Sequence, residues 1–537
     1  MPFPDRSVKQ RTLVPFPMKR LLLAAALVFA SLSVLHAATP PNIVVILVDD
    51  MGFSDIGCFG SEIPTPNLDA LAANGLRFTQ FYNTGRCCPS RAALLTGLYS
   101  HEAGVGLMVE DKGLAGYSGR LNDQCVTIAE VLKPAGYFTA MSGKWHVGQN
   151  HGVTPWGRGF DRSLNAPAGG FYMPASPRAE LYLNGEKLAN DDPRLPANWY
   201  TTDLWTTFGI KFIDEALAAK KPFYLHLCYN APHFPLQAPA EEIERMRGKY
   251  KAGWGAIGEA RYARQLEMGL IETGWAKSPK PAPIKPWEGL SPDEQERFDH
   301  IMATYAACVA HIDKSVGELV AGLKQRGVFE NTLLLFMSDN GGNAESGPNG
   351  RTEGDPSQGK SNWFCGESWA WAENTPFRRY KHFNHEGGIA SPFIAHWPAG
   401  IAAHGELRTE PAHLIDIMPT CVELSGAKYP ATFHDKPILP MEGRSLVPVF
   451  AKQPIQRDAL YWEHEGNAAV RVGDMKLVRF GARGAWELYD MKMDRTELHD
   501  LAASQPEKAK ELEAKWQAWA ERTHVLPAPG KGGGSNQ

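Results

Sequence analysis

The stretch PNIVVILVDDMGFSDIGCFG, residues 41–60, decides the fold class because it joins a buried strand to a polar cluster. Residues 43–48 are an unbroken run of β-branched and aliphatic side chains, which is typical of a strand covered on both faces in a parallel sheet. Asp49 and Asp50 end the run. In α/β sheets, ligand sites gather at the carboxyl ends of such strands. We therefore expect a functional site to include Asp49 and Asp50.

Strand and helix patterns alternate from this run to about residue 424. Further strands are predicted within residues 76–83, 137–144, 221–233 and 332–342, and helices within residues 64–75, 89–97, 127–133 and 293–326. This alternation predicts an α/β domain over residues 39–424, with a large mixed, mostly parallel sheet sandwiched by helices.

The sequence pattern changes beyond residue 425. GNAAVRVGDMKLVRFGARGAWELYDMKMDRTELHDLA, residues 466–502, contains two or three short strands joined by glycine-rich turns, and a helix pattern follows from about 505 to 522. We predict a smaller C-terminal α+β domain over residues 425–525, with an antiparallel sheet and a helix. The tail, residues 526–537, has the composition of a disordered segment.

Composition and the amino terminus limit the location and the partners. The chain is 43% hydrophobic and 21% charged, with a net charge of -4, so no basic surface argues for a nucleic-acid partner. MKRLLLAAALVFASLSVLHAATP, residues 18–40, has a basic pair, an apolar run and small residues, which predicts a secretory signal peptide within residues 1–38. An uncleaved membrane anchor is the alternative. Residues 1–17 read as an upstream extension, and we expect an exported protein, periplasmic or extracellular, with no stable membrane insertion.

Two acidic pairs follow predicted strands. Asp49 and Asp50 end the first, and Asp339 and Asn340 end the strand in TLLLFMSDNGG, residues 332–342. Like charges a few ångströms apart oppose ionisation, so clustered carboxylates need a counter-charge. An oxygen-only set of this kind suits calcium or magnesium. The alternative is that each pair caps a turn.

Four basic residues also follow strand or loop signals. Lys144 and His146 lie in SGKWHVG, His233 in NAPHFP, and Lys381 in RRYKHFNHEGG. Together with an arginine they would form a pocket for a multiply charged oxyanion such as sulfate or phosphate. Taken alone, Lys144 and His146 could be ordinary surface residues.

Two adjacent cysteines, Cys87 and Cys88, stand at the start of a predicted helix in YNTGRCCPSRAALLTG, residues 82–97. A thiol there lies near backbone N–H donors and the positive end of the helix dipole. A buried pair, a vicinal disulfide and separate disulfides are the competing interpretations. The spacing Cys-x-Pro-Ser-Arg followed by AALLTG resembles the signature of the sulfatase family, and with the other motifs the resemblance covers roughly residues 41–500.

The resemblance implies a formylglycine-dependent hydrolase related to the alkaline phosphatases. In that family the first cysteine of the signature, here Cys87, is converted to Cα-formylglycine by a maturation enzyme, and Arg91 steadies the aldehyde hydrate. Lys144 and His146 match residues that contact sulfate and the hydrate, and His233 and Lys381 match the pair near the leaving-group oxygen. The matching metal ligands, usually for calcium, are Asp49, Asp50, Asp339 and Asn340.

The function implied is hydrolysis of a sulfate ester, on an aryl sulfate or a sulfated carbohydrate. GESWAWAENTPFRRYKHFNHEGG, residues 366–388, and the WELYDMKMDRTELHDLA ending are especially similar to bacterial arylsulfatases. A phosphonate monoester or phosphodiester hydrolase of the same superfamily and a non-catalytic binder of sulfated glycans are the alternatives. Trp363, Trp369 and Trp371 could line a sugar-binding rim or simply pack a long loop.

Overall fold

A computed structural model describes residues 1–4 and 40–529. The predicted signal peptide, apart from residues 1–4, and residues 530–537 of the predicted disordered tail lie outside this range. Residues 41–529 group as one compact unit. Within the described part of the chain, no helix is long and apolar enough to cross a membrane.

Seventeen strands are present in the described residues. In chain order they are β1 Asn42–Val48, β2 Leu76–Tyr82, β3 Phe138–Lys144, β4 Arg162–Ala166, β5 Leu181–Leu183, β6 Glu186–Leu188, β7 Phe223–Cys228, β8 Thr332–Ser338, β9 Ala390–His396, β10 Glu406–Arg408, β11 Ala412–His413, β12 Thr432–Phe433, β13 Lys436–Pro437, β14 Leu460–His464, β15 Asn467–Val472, β16 Met475–Arg479 and β17 Trp486–Asp490.

The α-helices of the same residues are α1 Pro66–Ala73, α2 Cys87–Thr96, α3 Ile128–Leu132, α4 Thr201–Ala218, α5 Ala240–Met246, α6 Gly253–Glu267, α7 Pro292–Gln325, α8 Gly366–Glu373, α9 Glu386–Ile389, α10 Ile417–Ser425, α11 Val447–Phe450 and α12 Pro506–Arg522. The long predicted helix is confirmed as α7, whose first turn is closed by a reciprocal capping box between Ser291 and Glu294.

The large sheet is mixed and mostly parallel, as predicted. Its spatial order is β10-β2-β9-β8-β1-β7-β3-β4-β5-β6, with β11 beside β2. The central strands β8, β1, β7 and β3 are all parallel, whereas β9 runs antiparallel to both β2 and β8. Consecutive strands of the sheet's centre come from distant parts of the chain, so their ends bring distant motifs together.

Strand β1 is covered on both faces because its side chains alternate between two apolar layers. Val44, Ile46 and Val48 pack in the layer that holds α4 and α7. Ile43, Val45 and Leu47 pack in the opposite layer, which holds α2 and α10. The sequence run that predicted a buried parallel strand therefore forms the centre of a helix–sheet–helix sandwich.

The C-terminal region contains a separate antiparallel sheet, in the order β14-β15-β16-β17, with α12 packed on it. The sequence predicted two or three strands, and β14 is the one that the quoted stretch did not reach. This sheet and helix confirm the predicted fold class. The boundary at residues 424 and 425 stays a prediction.

A buried charge network joins the small sheet to the large one. Glu386 of α9 accepts from Lys476 Nζ at 2.8 Å and from Arg495 Nε at 2.7 Å, and Tyr82 of β2 donates to it at 3.0 Å. Lys476 also donates to Glu497 at 2.8 Å. All these side chains are buried. Each ionic group is paired, which offsets the cost of removing its charge from water.

Candidate active site

The carboxyl ends of four parallel strands meet at one edge of the large sheet and form the floor of the candidate site. Asp49 and Asp50 follow β1, Asp339 and Asn340 follow β8, and Lys144 is the last residue of β3. Because these strands are neighbours and point the same way, the residues after them lie side by side. The structure thus brings together side chains that are up to 290 positions apart.

The four predicted metal ligands form one buried cluster. Asn340 donates from Nδ2 to Asp50 Oδ1 at 2.7 Å, and the backbone N–H of Asp50 donates to Asp339 Oδ1 at 3.3 Å. Ligand atoms of Asp49, Asp50 and His233 lie within 4.8 Å of one another. Asp50 has a φ of 68°, a left-handed conformation that costs a non-glycine residue free energy and is concentrated at functional sites.

Lys144 and Arg91 hold two of the carboxylates. Lys144 donates from Nζ to Asp49 Oδ2 at 2.5 Å. Arg91 donates from Nη2 to Asp339 Oδ2 at 2.7 Å, and the same nitrogen lies 3.5 Å from Asp49 Oδ2. Nη1 of Arg91 donates to the carbonyl of Lys144 at 3.0 Å. Since these groups are buried, removing one partner leaves an uncompensated charge, which costs about 3–5 kcal/mol.

Lys381 and His233 both face Asp50. Lys381 Nζ lies 2.9 Å from Asp50 Oδ1, and His233 Nε2 lies 3.6 Å from Asp50 Oδ2. The other ring nitrogen of His233, Nδ1, lies 2.5 Å from the carbonyl oxygen of Phe234. With Nδ1 donating to that carbonyl, Nε2 is the nitrogen free to exchange a proton with a ligand.

Cys87 and Cys88 differ in their surroundings. Cys87 is the first residue of α2, and its Sγ lies 3.6 Å from Nδ1 of His146. A hydrogen bond from Cys88, with the charges of Lys144 and His146, lowers the pKa of Cys87 well below its ordinary value. Burial raises the pKa of Cys88 well above its own. The environment therefore favours negative charge at position 87 and opposes it at position 88.

All eight cysteines are buried free thiols. The alternatives of a vicinal disulfide and of separate disulfides therefore have no counterpart in the structure. His146 follows β3 with a φ of 54°, which turns the chain back at the point where its ring meets Cys87.

The carboxylates of Asp49 and Asp339 have shifted pKa values because they are buried close together. Burial raises the pKa of Asp49, but Lys144, His233 and Arg91 outweigh burial and hold that pKa below its ordinary range. Burial and the charge of Asp49 raise the pKa of Asp339 well above its ordinary value, despite Arg91. Lys144 and Arg91 therefore do not fully compensate the cluster, and a further positive charge would stabilise it.

Two oxygens of the cluster identify where such a charge fits. Asp49 Oδ1 and Asn340 Oδ1 are buried, and neither has a hydrogen-bond partner among the described residues. An unsatisfied buried acceptor costs about 1–3 kcal/mol. Carboxylate and amide oxygens are the ligands that a hard divalent cation prefers, so the residues present fit calcium or magnesium.

The sequence did not single out Asn343 or Glu345, which extend the site. Asn343 donates from Nδ2 to Asp50 Oδ2 at 2.6 Å. Glu345 Oε1 lies 2.7 Å from Arg86 Nη1 and 3.4 Å from Lys381 Nζ. Both residues begin the long loop after the β8 motif, and their place directly after SDNGG is the only sequence signal that could have marked them.

The pocket rim is formed by residues 378–384 and by two turns of the small sheet, residues 464–467 and 480–484. His382 lies 2.7 Å from Glu465 and 2.9 Å from Glu345, and it also contacts Arg86 beside Cys87. Asn467 donates to the carbonyl of His382 at 2.9 Å and accepts from the backbone of residue 481 at 3.0 Å. The small sheet therefore contacts the segment that carries Lys381 and His382 beside the candidate site.

The three tryptophans considered for the rim are buried. Trp369 donates to the carbonyl of Phe298 at 3.0 Å, and Trp363 donates to that of Gly354 at 2.9 Å. These two pack the loop, as the alternative interpretation had it. Trp371 donates to Ser278 and also lines a surface cavity.

Family models match nearly the whole described chain. The sulfatase model matches residues 41–427, and the model of the N-sulphoglucosamine sulphohydrolase C-terminal region matches residues 377–522. The first covers the large sheet with every predicted site residue. The second covers the rim and the small sheet.

Individual proteins that are similar to the chain are also sulfatases. The chain is 37% identical to an arylsulfatase of Klebsiella aerogenes over 450 residues, covering 80% of this chain and 96% of that protein. It is 34% identical to an uncharacterized sulfatase of Schizosaccharomyces pombe over 533 residues, covering 91% and 95%. The crystal structure of Ps i-CgsB in complex with k-i-k-neocarrahexaose matches with a TM-score of 0.69 at 27% identity, covering 91% and 94%. The chain belongs to the sulfatase family and is a sulfuric ester hydrolase.

Proposed function

We propose that the buried pocket hydrolyses sulfate esters through a Cα-formylglycine made from Cys87, releasing inorganic sulfate and an alcohol or phenol. The observation that carries this proposal is the position of Cys87 at the start of α2, 3.6 Å from His146 and in the field of Lys144. A maturation enzyme of the host must make the conversion. The signal-peptide pattern in residues 18–40 supports export to the periplasm or beyond.

The aldehyde, once hydrated, carries two hydroxyls. One gives its proton to Asp339 and attacks sulfur, which breaks the bond from sulfur to the departing alcohol or phenol oxygen. The second loses its proton as the carbonyl re-forms and the carbon–oxygen bond to sulfate breaks. Arg91 orients the side chain at position 87 and balances negative charge there, since its guanidinium is buried and fixed by Asp339 and the Lys144 carbonyl. Lys144 and Lys381 bind the sulfuryl oxygens. Both ammonium groups are buried, so their charges act at low effective dielectric.

Calcium, or magnesium, would be held by Asp49, Asp50, Asp339 and Asn340, and it would supply positive charge beside the sulfuryl oxygens. We expect a chelator to lower the melting temperature of the purified protein, because the cation stabilises the folded cluster by about 2.7 kcal/mol when present at 100 times its Kd. Calcium should restore the melting temperature. A melting temperature unchanged by chelation, in wild type and in Asp339→Asn alike, would contradict a bound cation.

Two histidines would move protons at defined atoms. His233 gives a proton from Nε2 to the departing oxygen, helped by the nearby Lys381 ammonium. His146 takes a proton at Nδ1, which lies 3.6 Å from Sγ of Cys87, from the second hydroxyl at position 87. Burial and Lys144 lower the pKa of His146, which keeps its ring neutral and able to act as a base.

A substrate panel tests the proposal. We expect purified protein to give a higher kcat/KM with 4-nitrophenyl sulfate than with a phenyl phosphonate monoester or a bis(4-nitrophenyl) phosphodiester. A higher kcat/KM with the phosphonate or the phosphodiester would instead support the alternative hydrolase of the same superfamily. Turnover of none of the three would contradict the arylsulfatase-like activity.

A further inference from the structure

Two histidines and a glutamate of the rim form a compact cluster that shares no residue with the predicted calcium ligands. His464 is the last residue of β14, Glu465 is the first residue of the turn that follows, and His382 directly follows Lys381. One ligand atom of each of the three lies within 4.8 Å of the other two. The meeting of the small sheet with residues 378–384 therefore places two imidazoles and one carboxylate at one point.

The first indication of a ligand is the buried ring of His464. Its side chain is fully buried, and neither ring nitrogen forms a hydrogen bond among the described residues. Burial lowers the pKa of His464 to about 4, despite the opposing charge of Glu465, so the ring is neutral and one nitrogen has a free lone pair. A buried polar atom without a partner costs stability, and a bound ion would satisfy Nε2, which lies 3.7 Å from Glu465 Oε1.

The second indication is the position of His382 between two carboxylates. Its Nε2 lies 2.9 Å from Glu345 Oε1, and its Nδ1 lies 2.7 Å from Glu465 Oε2. With Nε2 donating to Glu345, a neutral ring turns the lone pair of Nδ1 towards an anion, and a cation between these two atoms makes the contact favourable. A carboxylate behind the other nitrogen is typical of a metal-binding histidine. Arg86 also contacts the ring, and Glu345 balances its charge at 2.7 Å.

The distances between the ligand atoms suit a four-coordinate ion of the zinc type. Ligands about 2.0–2.1 Å from a tetrahedral ion lie about 3.3 Å from one another. The two contacts of Glu465, 2.7 Å to His382 and 3.7 Å to His464, lie on either side of that value. Imidazole nitrogens favour zinc, copper, nickel or iron, whereas the oxygen ligands that follow β1 and β8 favour calcium or magnesium. The two clusters therefore select different ions.

We propose that His382, His464 and Glu465 form a second metal site, which binds one divalent transition-metal ion of the zinc type, with Glu345 orienting the ring of His382. The bound ion would join the turn after β14 to the segment that carries Lys381. Glu465 and His382 have left-handed backbones, with φ of 53° and 82°, and bonds to a metal would help to hold both conformations. The site does not depend on the reaction catalysed in the pocket.

The test measures zinc binding to the full chain by equilibrium dialysis and metal analysis, with calcium in excess to fill the oxygen cluster. Every sample carries Cys87→Ala, because Cys87, Cys88 and His146 form another cluster that could bind a soft ion while Cys87 is unconverted. We expect one zinc ion per chain, and cobalt in its place should give the visible absorption of a tetrahedral site. Zinc should also raise the melting temperature, since it binds the folded state.

Removal of a ligand should weaken zinc binding strongly. His464→Gln and Glu465→Gln should each lower the affinity at least about 100-fold, and Glu345→Gln about 10-fold, as expected for an outer partner of a ligand. Zinc should no longer raise the melting temperature of the first two variants. Glu465 lies in an exposed turn, so Glu465→Gln decides the question if the buried His464→Gln fails to fold.

The matched control is His404→Gln. His404 is an exposed histidine outside the cluster, and its substitution should leave zinc affinity unchanged. Equal affinities in His464→Gln and His404→Gln would overturn the proposal. So would the lack of saturable zinc binding, which would place a proton, and not a metal, between His382 and Glu465.

Discussion

The interior of the pocket and its rim are built in opposite ways. The interior consists of buried charges that follow β1, β3 and β8 or lie in α2, and nearly every one has a partner at hydrogen-bond distance. The rim combines residues 378–384 with turns of the small sheet, and there Phe480 is exposed and Arg379 forms no ion pair among residues 40–529. A rigid interior suits one fixed reaction, whereas an open rim suits the choice of substrate. Substitutions in the interior should therefore change the reaction itself more than substitutions at the rim do.

The largest effect is expected at the two adjacent cysteines. Cys87→Ala should lower kcat/KM for 4-nitrophenyl sulfate by at least about 10⁴-fold, because the proposed nucleophile is lost. Cys88→Ala, an equally buried neighbour, should stay within about 10-fold, the cost of a small cavity. Comparable losses in the two variants would break the distinction between them.

The buried charge network that joins the small sheet to the large one should contribute to the free energy of unfolding. Glu386→Gln should lower the free energy of unfolding by about 3–5 kcal/mol, because Lys476 and Arg495 lose their buried anion. Exposed Glu406→Gln serves as the control. Urea unfolding measures the difference, and two separate transitions in wild type would show that the small sheet folds independently of the pocket.

The same network predicts that the folded state loses stability at low pH. Burial alone would raise the pKa of Glu386, but Lys476 and Arg495 outweigh it and lower the pKa from 4.5 to about 2. A carboxyl whose pKa is depressed in the folded state stabilises the fold above its unfolded pKa. Its contribution should therefore be complete above about pH 4.5 and be lost as the pH falls towards 2.

The leaving-group residues should show a dependence on substrate. His233→Ala should lower kcat/KM by about 10²–10³-fold for an alkyl sulfate, whose departing oxygen needs a proton. The loss should be smaller for 4-nitrophenyl sulfate, because its phenolate leaves without one. The control is His300→Ala, because the ring of His300 packs on Trp363 and its charged neighbours do not include any predicted site residue. Equal losses for the two substrates would remove His233 from that role.

The smallest effect is expected where interior and rim meet. Glu345→Gln should lower kcat/KM about 10-fold, because Glu345 contacts Arg86, His382 and Lys381 and so positions the Lys381 ammonium. Glu353→Gln, in the same loop but exposed, should have no effect. A Glu345→Gln variant with wild-type kinetics would mean that Lys381 is held by Asp50 alone.

Part of the interior could be predicted from the sequence because its acidic residues directly follow strands with a strong pattern, whereas Cys87, Arg91 and Lys381 were marked by the resemblance to sulfatases. Asp49 and Asp339 end apolar runs, and parallel strands bring their ends to one edge. The rim could not be predicted, since His382 meets Glu465, and Phe383 meets Phe480, only through the docking of the two sheets. Strand β14 was missed because it lies before the glycine-rich turns that marked its neighbours.

The tryptophans are a second case that the sequence could not decide. Composition alone allowed Trp363 and Trp369 to be either rim or core residues. Both side chains are buried, and their indole N–H groups bond to the backbone carbonyls of Gly354 and Phe298, which fixes them in the core. Glu345 gave no signal of its own, because a glutamate in a long loop is ordinarily solvated.

The most direct test of the central claim is the mass of the tryptic peptide of residues 87–91, which lies between Arg86 and Arg91 and contains both cysteines. In active protein, after alkylation of thiols, fragment spectra should place an aldehyde, lighter than cysteine, at position 87 and an alkylated thiol at position 88. Fully active protein with both positions alkylated would contradict the account.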